Sequence, residues 1–262
     1  MDLDLFRGLR DADYRRRGLV VAEGRIVTEK ILEAGLRVRA LVCVPSARGE
    51  WESRSEGRFE VQVLPRSEIE NLAGFPFHRG VLALADRPEI PPLDAENLPA
   101  GHLLWLWNVT DPDNLGSLIR TAAALGAGGI LLGPGCADPY GRKALRTSMG
   151  NSLTRPIRTT DQDAVPLLRA AGRAVYAAAL TPDARTPESL PGAGPRVLVL
   201  GNEGWGLPAE LSDACDLRVA VPMARDVDSL NVGAAGAILL YVLFRPLGSA
   251  APSEETGLPP SG

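Results

Sequence analysis

Residues 103–132 read LLWLWNVTDPDNLGSLIRTAAALGAGGILL, and this stretch decides the fold. Residues 103–109 read as one apolar strand, broken only by Asn108, as expected of a strand buried on both faces. Asp111-Pro112-Asp113-Asn114 is turn chemistry, with Asn114 or Asp113 as the helix cap. Residues 115–125 carry helical periodicity closed by Gly126, and residues 129–132 form a second apolar strand. The alternation continues downstream. Helices are expected at 142–149 and 165–171, and strands at 174–180, 196–200 and 217–221. Apolar runs alternating with helices specify an α/β fold with a parallel sheet covered on both faces. Ligands of such sheets gather at the carboxyl ends of the strands.

Upstream, residues 89–101 (EIPPLDAENLPAG) are rich in proline and acid and read as a linker of intermediate stiffness. Before them, residues 1–88 form a smaller α/β unit. Strands are expected at 18–24, 38–44, 59–64 and 81–85, and helices at 24–34 and 67–73. Its opening carries Arg7, Arg10, Arg15, Arg16 and Arg17 around Tyr14. That run is either a solvated helix face or a patch that contacts phosphate, since a guanidinium offers phosphate two donors. Residues 248–262 are mostly Ser, Pro, Gly, Ala and Glu, a composition that favours disorder. No internal repeat is present.

The chain has 262 residues, 45% hydrophobic and 23% charged, with a net charge of −4. It carries no global basic signature, so nucleic-acid contact requires local patches. Cys43, Cys136 and Cys215 are far apart, and only His78 and His102 accompany them. Neither a disulfide framework nor a metal site is expected. The acidic N-terminus lacks the apolar core of a secretory signal, and the apolar run 234–244 is too short to span a bilayer. A cytoplasmic protein without membrane contact is expected.

Three strand-end segments hold the unusual residues. The first, 111–120, ends on Arg120, a long cation between Ile119 and the small residues 121–124. It points either at a partner or into a salt bridge with Glu203 or Asp228. The second, 198–207 (LVLGNEGWGL), has glycines at 201, 204 and 206 that allow close backbone approach. It is neither a GxGxxG fingerprint nor a phosphate loop. Glu203 within it can accept a ligand hydroxyl or orient Arg120. The third, 221–233 (VPMARDVDSLNVG), stops a strand at Pro222 and enters the last helix. Ser229 is the expected N-cap there, or a site residue. Asn231 is expected to face the pocket, because asparagine is mildly unfavourable inside a helix. His78 reads as a turn residue, Arg79 as an extension of a basic face, and Trp105, Trp107 and Trp205 as packing.

In order and spacing these segments resemble the SpoU (TrmH-type) branch of the SPOUT RNA methyltransferases. The match rests on Asp113-Asn114-Leu115-Gly116 to Arg120, on 198–207, and on Val221-Pro222-Met223 to Ser229-Leu230-Asn231-Val232. A further stretch runs from Arg146-Thr147-Ser148-Met149-Gly150 to Pro156. Residues 1–88 are more loosely similar to a ribosomal-protein-like RNA-binding domain, through Val21-Ala22-Glu23-Gly24 and 74–84.

The resemblance implies a methyltransferase domain over 102–247 with a deep trefoil knot, and a homodimer with active sites at the subunit interface. It implies S-adenosylmethionine held by Leu200, Gly201, Val221, Pro222, Met223 and Leu230. Asn114, Arg120, Glu203, Ser229 and Asn231 would form the catalytic cluster for methylation of a ribose 2′-hydroxyl. Because a guanidinium is a poor base, Arg120 is expected to stabilise the developing alkoxide and grip the adjacent phosphate, oriented by Asn114. The proton then leaves to that phosphate or to Glu203. Arg15, Arg16, Arg17, Arg79 and Arg146 are the expected RNA contacts. Gly233 departs from the serine or alanine common in the family. Ribosomal RNA, 23S above all, is the expected substrate, with transfer RNA as rival. A nicotinamide-dependent oxidoreductase and an RNA-binding protein without catalysis are the readings from other classes.

Overall fold

The computed structural model describes residues 3–7, 11–191, 194–224 and 229–244. The tail expected at 248–262, and Arg10 and Asp228, lie outside them. The N-terminal unit runs α1 (Asp11–Arg16), β1 (Leu19–Glu23), α2 (Arg25–Glu33), β2 (Val38–Cys43), α3 (Arg48–Ser55), β3 (Val61–Val63), α4 (Arg66–Ala73) and β4 (Val81–Asp86). Its sheet has the order β1-β4-β2-β3, with β4 antiparallel to both neighbours and β3 parallel to β2.

The second unit runs β5 (Leu103–Leu106), α5 (Pro112–Ala124), β6 (Gly129–Leu132), α6 (Arg142–Thr147), α7 (Asn151–Thr154), β7 (Ile157–Thr159), α8 (Ala164–Ala170), β8 (Ala174–Ala178), β9 (Arg196–Leu200), α9 (Ala209–Ala214), β10 (Leu217–Val219) and α10 (Val232–Phe244). Its six strands take the order β10-β8-β9-β5-β6-β7, every pair parallel. β5 and β9 are buried along their whole length, which is why they read as apolar runs, β9 after its buried Arg196.

Several boundaries move for local reasons. β5 stops at Leu106 rather than 109 because Asn108 takes a left-handed φ of 54°. Asp111, rather than Asp113 or Asn114, caps α5: its Oδ1 accepts the Asp113 N–H at 2.8 Å, with Pro112 in the first turn. The last strand ends at Val219, and the Ala220 N–H turns to the Arg185 carbonyl.

Residues 89–101 lie along the edge of the larger sheet. The Leu93 N–H donates to the Thr159 carbonyl at 2.8 Å, and the Thr159 N–H to the Pro91 carbonyl at 3.0 Å. The two units share one apolar cluster, in which Val20, Ile31 and Leu41 meet residues such as Leu104, Leu118 and Leu240. A bidentate Arg87–Asp138 pair, at 3.0 and 2.6 Å, and an Arg142–Asp11 pair at 3.1 Å tie their surfaces. Among the described residues no helix is long and apolar enough to cross a membrane.

Candidate functional site

The carboxyl ends of β8, β9 and β10 open into a cavity of about 490 Å³. Leu200, Gly201, Val221, Met223 and Leu230 line it, with Glu203 and Ser229 among the polar groups. Pro222 is the one expected cofactor residue outside that lining. Gly201 is buried, and a side chain there would meet the Gly206 backbone at 2.4 Å. Glycine lets the 201–206 turn fold back on itself. Among the described residues no cluster of His, Cys, Asp and Glu suits a metal.

Beside the cavity three side chains from the three distant segments converge. Asn231 Nδ2 donates to Glu203 Oε1 at 2.9 Å and to Asn114 Oδ1 at 3.2 Å. Asn114 Nδ2 donates to the same Glu203 oxygen. Both amides therefore load one carboxylate oxygen of the exposed Glu203, and Oε2 has no partner among the described residues. A small cleft lined by Asn114, Asn202, Glu203 and Val232 adjoins them.

Asn231, and not Ser229, caps α10. Its Oδ1 accepts the Gly233 N–H at 2.9 Å and the Ala234 N–H at 3.3 Å. Asparagine is disfavoured inside helices but favoured at their caps, and Asn231 stands at the cap rather than within the first turn. Capping accounts for the oxygen; the amide nitrogen is spent on Glu203 and Asn114. A side chain at Gly233 would stand 3.0 Å from Asn231 Oδ1 and 3.1 Å from Ser117 Oγ, so glycine leaves the cap room.

Arg120 lies elsewhere. It is exposed on α5 and makes no ion pair among the described residues, Glu203 included. The expected orientation by Asn114 is absent. Six residues of helix carry Arg120 about 240° around the axis and roughly 9 Å along it, onto another face. Next to Asn114, Asp113 pairs with Lys143 at 2.9 Å and accepts from Thr147 at 2.9 Å. The Lys143 hydrogen bond, then that of Thr147, holds its carboxyl below the usual carboxylate range. Burial pushes the Cys136 thiol up and that of Cys215 to about 12, so neither is primed as a nucleophile.

The expected RNA contacts do not form one patch. Arg15 and Arg17 are exposed around the end of α1, and Arg16 pairs with Asp13. Leu19 stands opposite Asp86, so the start of β1 meets the end of β4. Arg79, which precedes β4 and lies 3.8 Å from Glu23, is therefore at the far end of that sheet. Arg146 is exposed on α6.

Trp105 is fully buried and Trp107 packs beside it, with ring centroids 6.3 Å apart. Trp205 contradicts the packing reading: it is 87% exposed at the cavity mouth. Its rarity as an exposed residue left no mark in the sequence, where it sits among glycines. Asn202 was also missed. Its Oδ1 accepts the Gly204 N–H at 2.8 Å and its Nδ2 donates to the Asn108 carbonyl at 2.8 Å, bracing the Glu203 turn. An asparagine at a strand end ahead of Glu-Gly was the available signal.

Residues 101–241 match the SpoU rRNA Methylase family. The chain is similar to a Mycobacterium tuberculosis protein named as an uncharacterized tRNA/rRNA methyltransferase, 33% identical over 255 residues that cover 91% of this chain and 87% of that one. It is 41% identical over 145 residues to the 23S rRNA (guanosine(2553)-2′-O)-methyltransferase RlmP of Bacillus subtilis, covering 55% of this chain and 58% of the relative. Among solved structures it is similar to the AdoMet-bound rRNA methyltransferase of Sinorhizobium meliloti. That likeness has a TM-score of 0.78 and 28% identity, and covers 89% of this chain and 90% of that one.

Proposed function

Because the chain belongs to the SpoU rRNA methylase family, we propose that it transfers a methyl group from S-adenosylmethionine to a ribose 2′-hydroxyl of RNA, with 23S ribosomal RNA as substrate. The observation that carries this reading is the Asn114–Glu203–Asn231 cluster set against the strand-end cavity. The 2′-O activity in the name of the Bacillus relative and the donor in the Sinorhizobium structure support it.

The cavity fits the donor. Its volume of about 490 Å³ falls within the roughly 300–1,000 Å³ usual for cofactor sites. Leu200, Val221 and Leu230 give it an apolar wall, and Gly201 exposes backbone. When bound, S-adenosylmethionine supplies a sulfonium methyl, so a C–O bond forms at the 2′-oxygen as the C–S bond breaks and S-adenosylhomocysteine leaves. The chain's own work is orientation. Asn114 and Asn231 fix Glu203 through Oε1, and its free Oε2 accepts the hydrogen of the 2′-hydroxyl, aiming the oxygen lone pair at the methyl. Arg120 grips the adjacent phosphate and stabilises the alkoxide as it develops. The hydroxyl proton leaves along that hydrogen bond to Glu203, the phosphate being the alternative acceptor, and Ser229, at the cavity edge, positions the ribose.

Arg120 makes no bond to the cluster of its own subunit among the described residues, and a homodimer with active sites at the interface accounts for this. The exposed face of α10 carries Ala234, Ile238 and Tyr241, the last two 42% and 54% exposed, next to α5. This apolar stripe supports docking of a second copy, which sets Arg120 of one subunit toward the cluster of the other. The family resemblance supports a trefoil knot within a methyltransferase domain at 102–247, in which α10 packs on α5 and β9. Residues 1–88 then serve as the RNA-binding domain and 89–101 as its connection.

Mapping 2′-O-methyl positions in ribosomal and transfer RNA from cells with and without the gene tests the assignment. One 23S position is expected to lose its methyl group. A lost transfer-RNA position instead moves the substrate, and no lost position removes RNA methylation from the account.

A further inference from the structure

Trp205 is more exposed than any other large apolar residue described, at 87%. It does not sit on a loose loop. The Asn202 N–H donates to the Gly206 carbonyl at 3.1 Å, and the Gly206 N–H returns to the Asn202 carbonyl at 2.9 Å. Asn202 Oδ1 further accepts the N–H groups of Gly204 at 2.8 Å and of Trp205 at 3.2 Å. The indole is thus held out on a braced turn. Two residues before it stands Glu203, and the indole itself borders the cavity mouth. Such a ring offers water its apolar faces, a costly arrangement for a residue that packs on nothing.

We infer that the indole of Trp205 is a stacking platform for an RNA nucleobase at the methylation site. The inference rests on the RNA 2′-O-methyltransferase reading above. RNA sites read by proteins are mostly single-stranded, with bases splayed out of the stack, and a base drawn to the site with its ribose then lacks a stacking partner. An aromatic face beside the site restores one, and does so for any base because every base has a π-face. Trp205 lies on the strand-end turn beside the cluster, whereas the apolar stripe that suits a second subunit is on α10. The indole is thus on a different element from the proposed subunit contact and stays open to RNA at the cavity mouth. It holds the target nucleotide in place while Glu203 aims its hydroxyl, and leaves the choice of base to other contacts.

The test compares wild type, W205F, W205L and W205A on protein-free 23S ribosomal RNA transcribed in vitro. Affinity for that RNA, affinity for S-adenosylmethionine, single-turnover methyl transfer and sedimentation are measured for each. W205A and W205L are expected to bind the RNA roughly ten- to a hundred-fold more weakly. W205F stays within a few-fold of wild type, donor affinity and subunit mass are unchanged in all, and RNA quenches the fluorescence that W205F lacks. Equal RNA affinity for W205A and wild type overturns the platform. So does loss of donor affinity with RNA affinity intact, which makes Trp205 a cofactor lid, or dissociation of subunits, which makes it an interface residue. If wild type itself transfers no methyl group to the RNA, it is the reading of the site that fails.

Discussion

Asn231 donates from Nδ2 to Glu203 Oε1 at 2.9 Å while its Oδ1 caps α10 through the Gly233 N–H at 2.9 Å. One side chain thus couples the mouth of the last helix to the turn after β9. A capping oxygen is held by the helix itself, so the nitrogen that faces Glu203 has little freedom to swing away.

Separating those two jobs is the first prediction. Asn231→Asp keeps an oxygen for the cap but removes the donor and sets a second carboxylate against Glu203. Its methyl transfer is expected to fall about a hundred-fold, as for a misplaced reacting group. Asn231→Ala loses the cap as well, and is expected to be less stable than wild type by about 1 kcal/mol. Thermal unfolding and single-turnover rates measured side by side check both.

A second prediction concerns the Gly201 turn. In Gly201→Ala the added carbon meets the Gly206 backbone, which stands 2.4 Å from its ideal position. Neither backbone can retreat without disturbing the Asn202–Gly206 pairing, so a loss of about 1–3 kcal/mol is expected. Binding of S-adenosylmethionine should weaken in parallel. Calorimetric titration checks the affinity, and an unchanged value would remove Gly201 from the donor site.

Stability should also depend on His102. Its Nδ1 accepts the Arg196 N–H at 3.1 Å, and its ring stacks on Phe244 at 4.7 Å. Burial, with the Arg196 charge second, lowers its pKa from the ordinary 6.5. The unfolded chain therefore takes up the proton first as pH falls. The contribution is complete above about pH 6.5 and is lost progressively below it, toward the lower folded value. His102→Asn keeps an acceptor but does not titrate there. Between pH 7 and 5.5 the unfolding temperature of wild type should drop further than that of the variant.

Much of this architecture is legible in the amino-acid chain because its central strands are buried on both faces. β5, β6 and β9 are apolar apart from Arg196 at the start of β9; β6 and β9 keep their expected bounds, and β5 ends three residues early. What escaped has less apolar content to announce it. The α3 sequence RGEWESRS buries only Trp51 and Ser55, so its charged surface hides the helical stripe. β7 is a three-residue edge strand behind Pro156, too short to show a period. At the site, residue types and order indicated which segments meet, but not how they bond. Which of Ser229 and Asn231 caps α10 depends on where the helix starts, and the separation of Arg120 from Asn114 depends on the helical phase of α5. Trp205 was read as packing because a tryptophan is usually buried, and exposure is a property of the turn that carries it.

The most direct measurement of the central claim follows label from S-adenosyl[methyl-³H]methionine into 23S ribosomal RNA, which is then hydrolysed with alkali. A methylated 2′-oxygen cannot attack the neighbouring phosphate, so ribose methylation leaves the label in alkali-stable dinucleotides. Wild type is expected to place label in that fraction and Arg120→Ala about a hundred-fold less; the Arg120 side chain is exposed and has no ion pair among the described residues, so the variant's stability stays within about 0.5 kcal/mol of wild type. Label recovered in mononucleotides, or a rate untouched by Arg120→Ala, would contradict that claim.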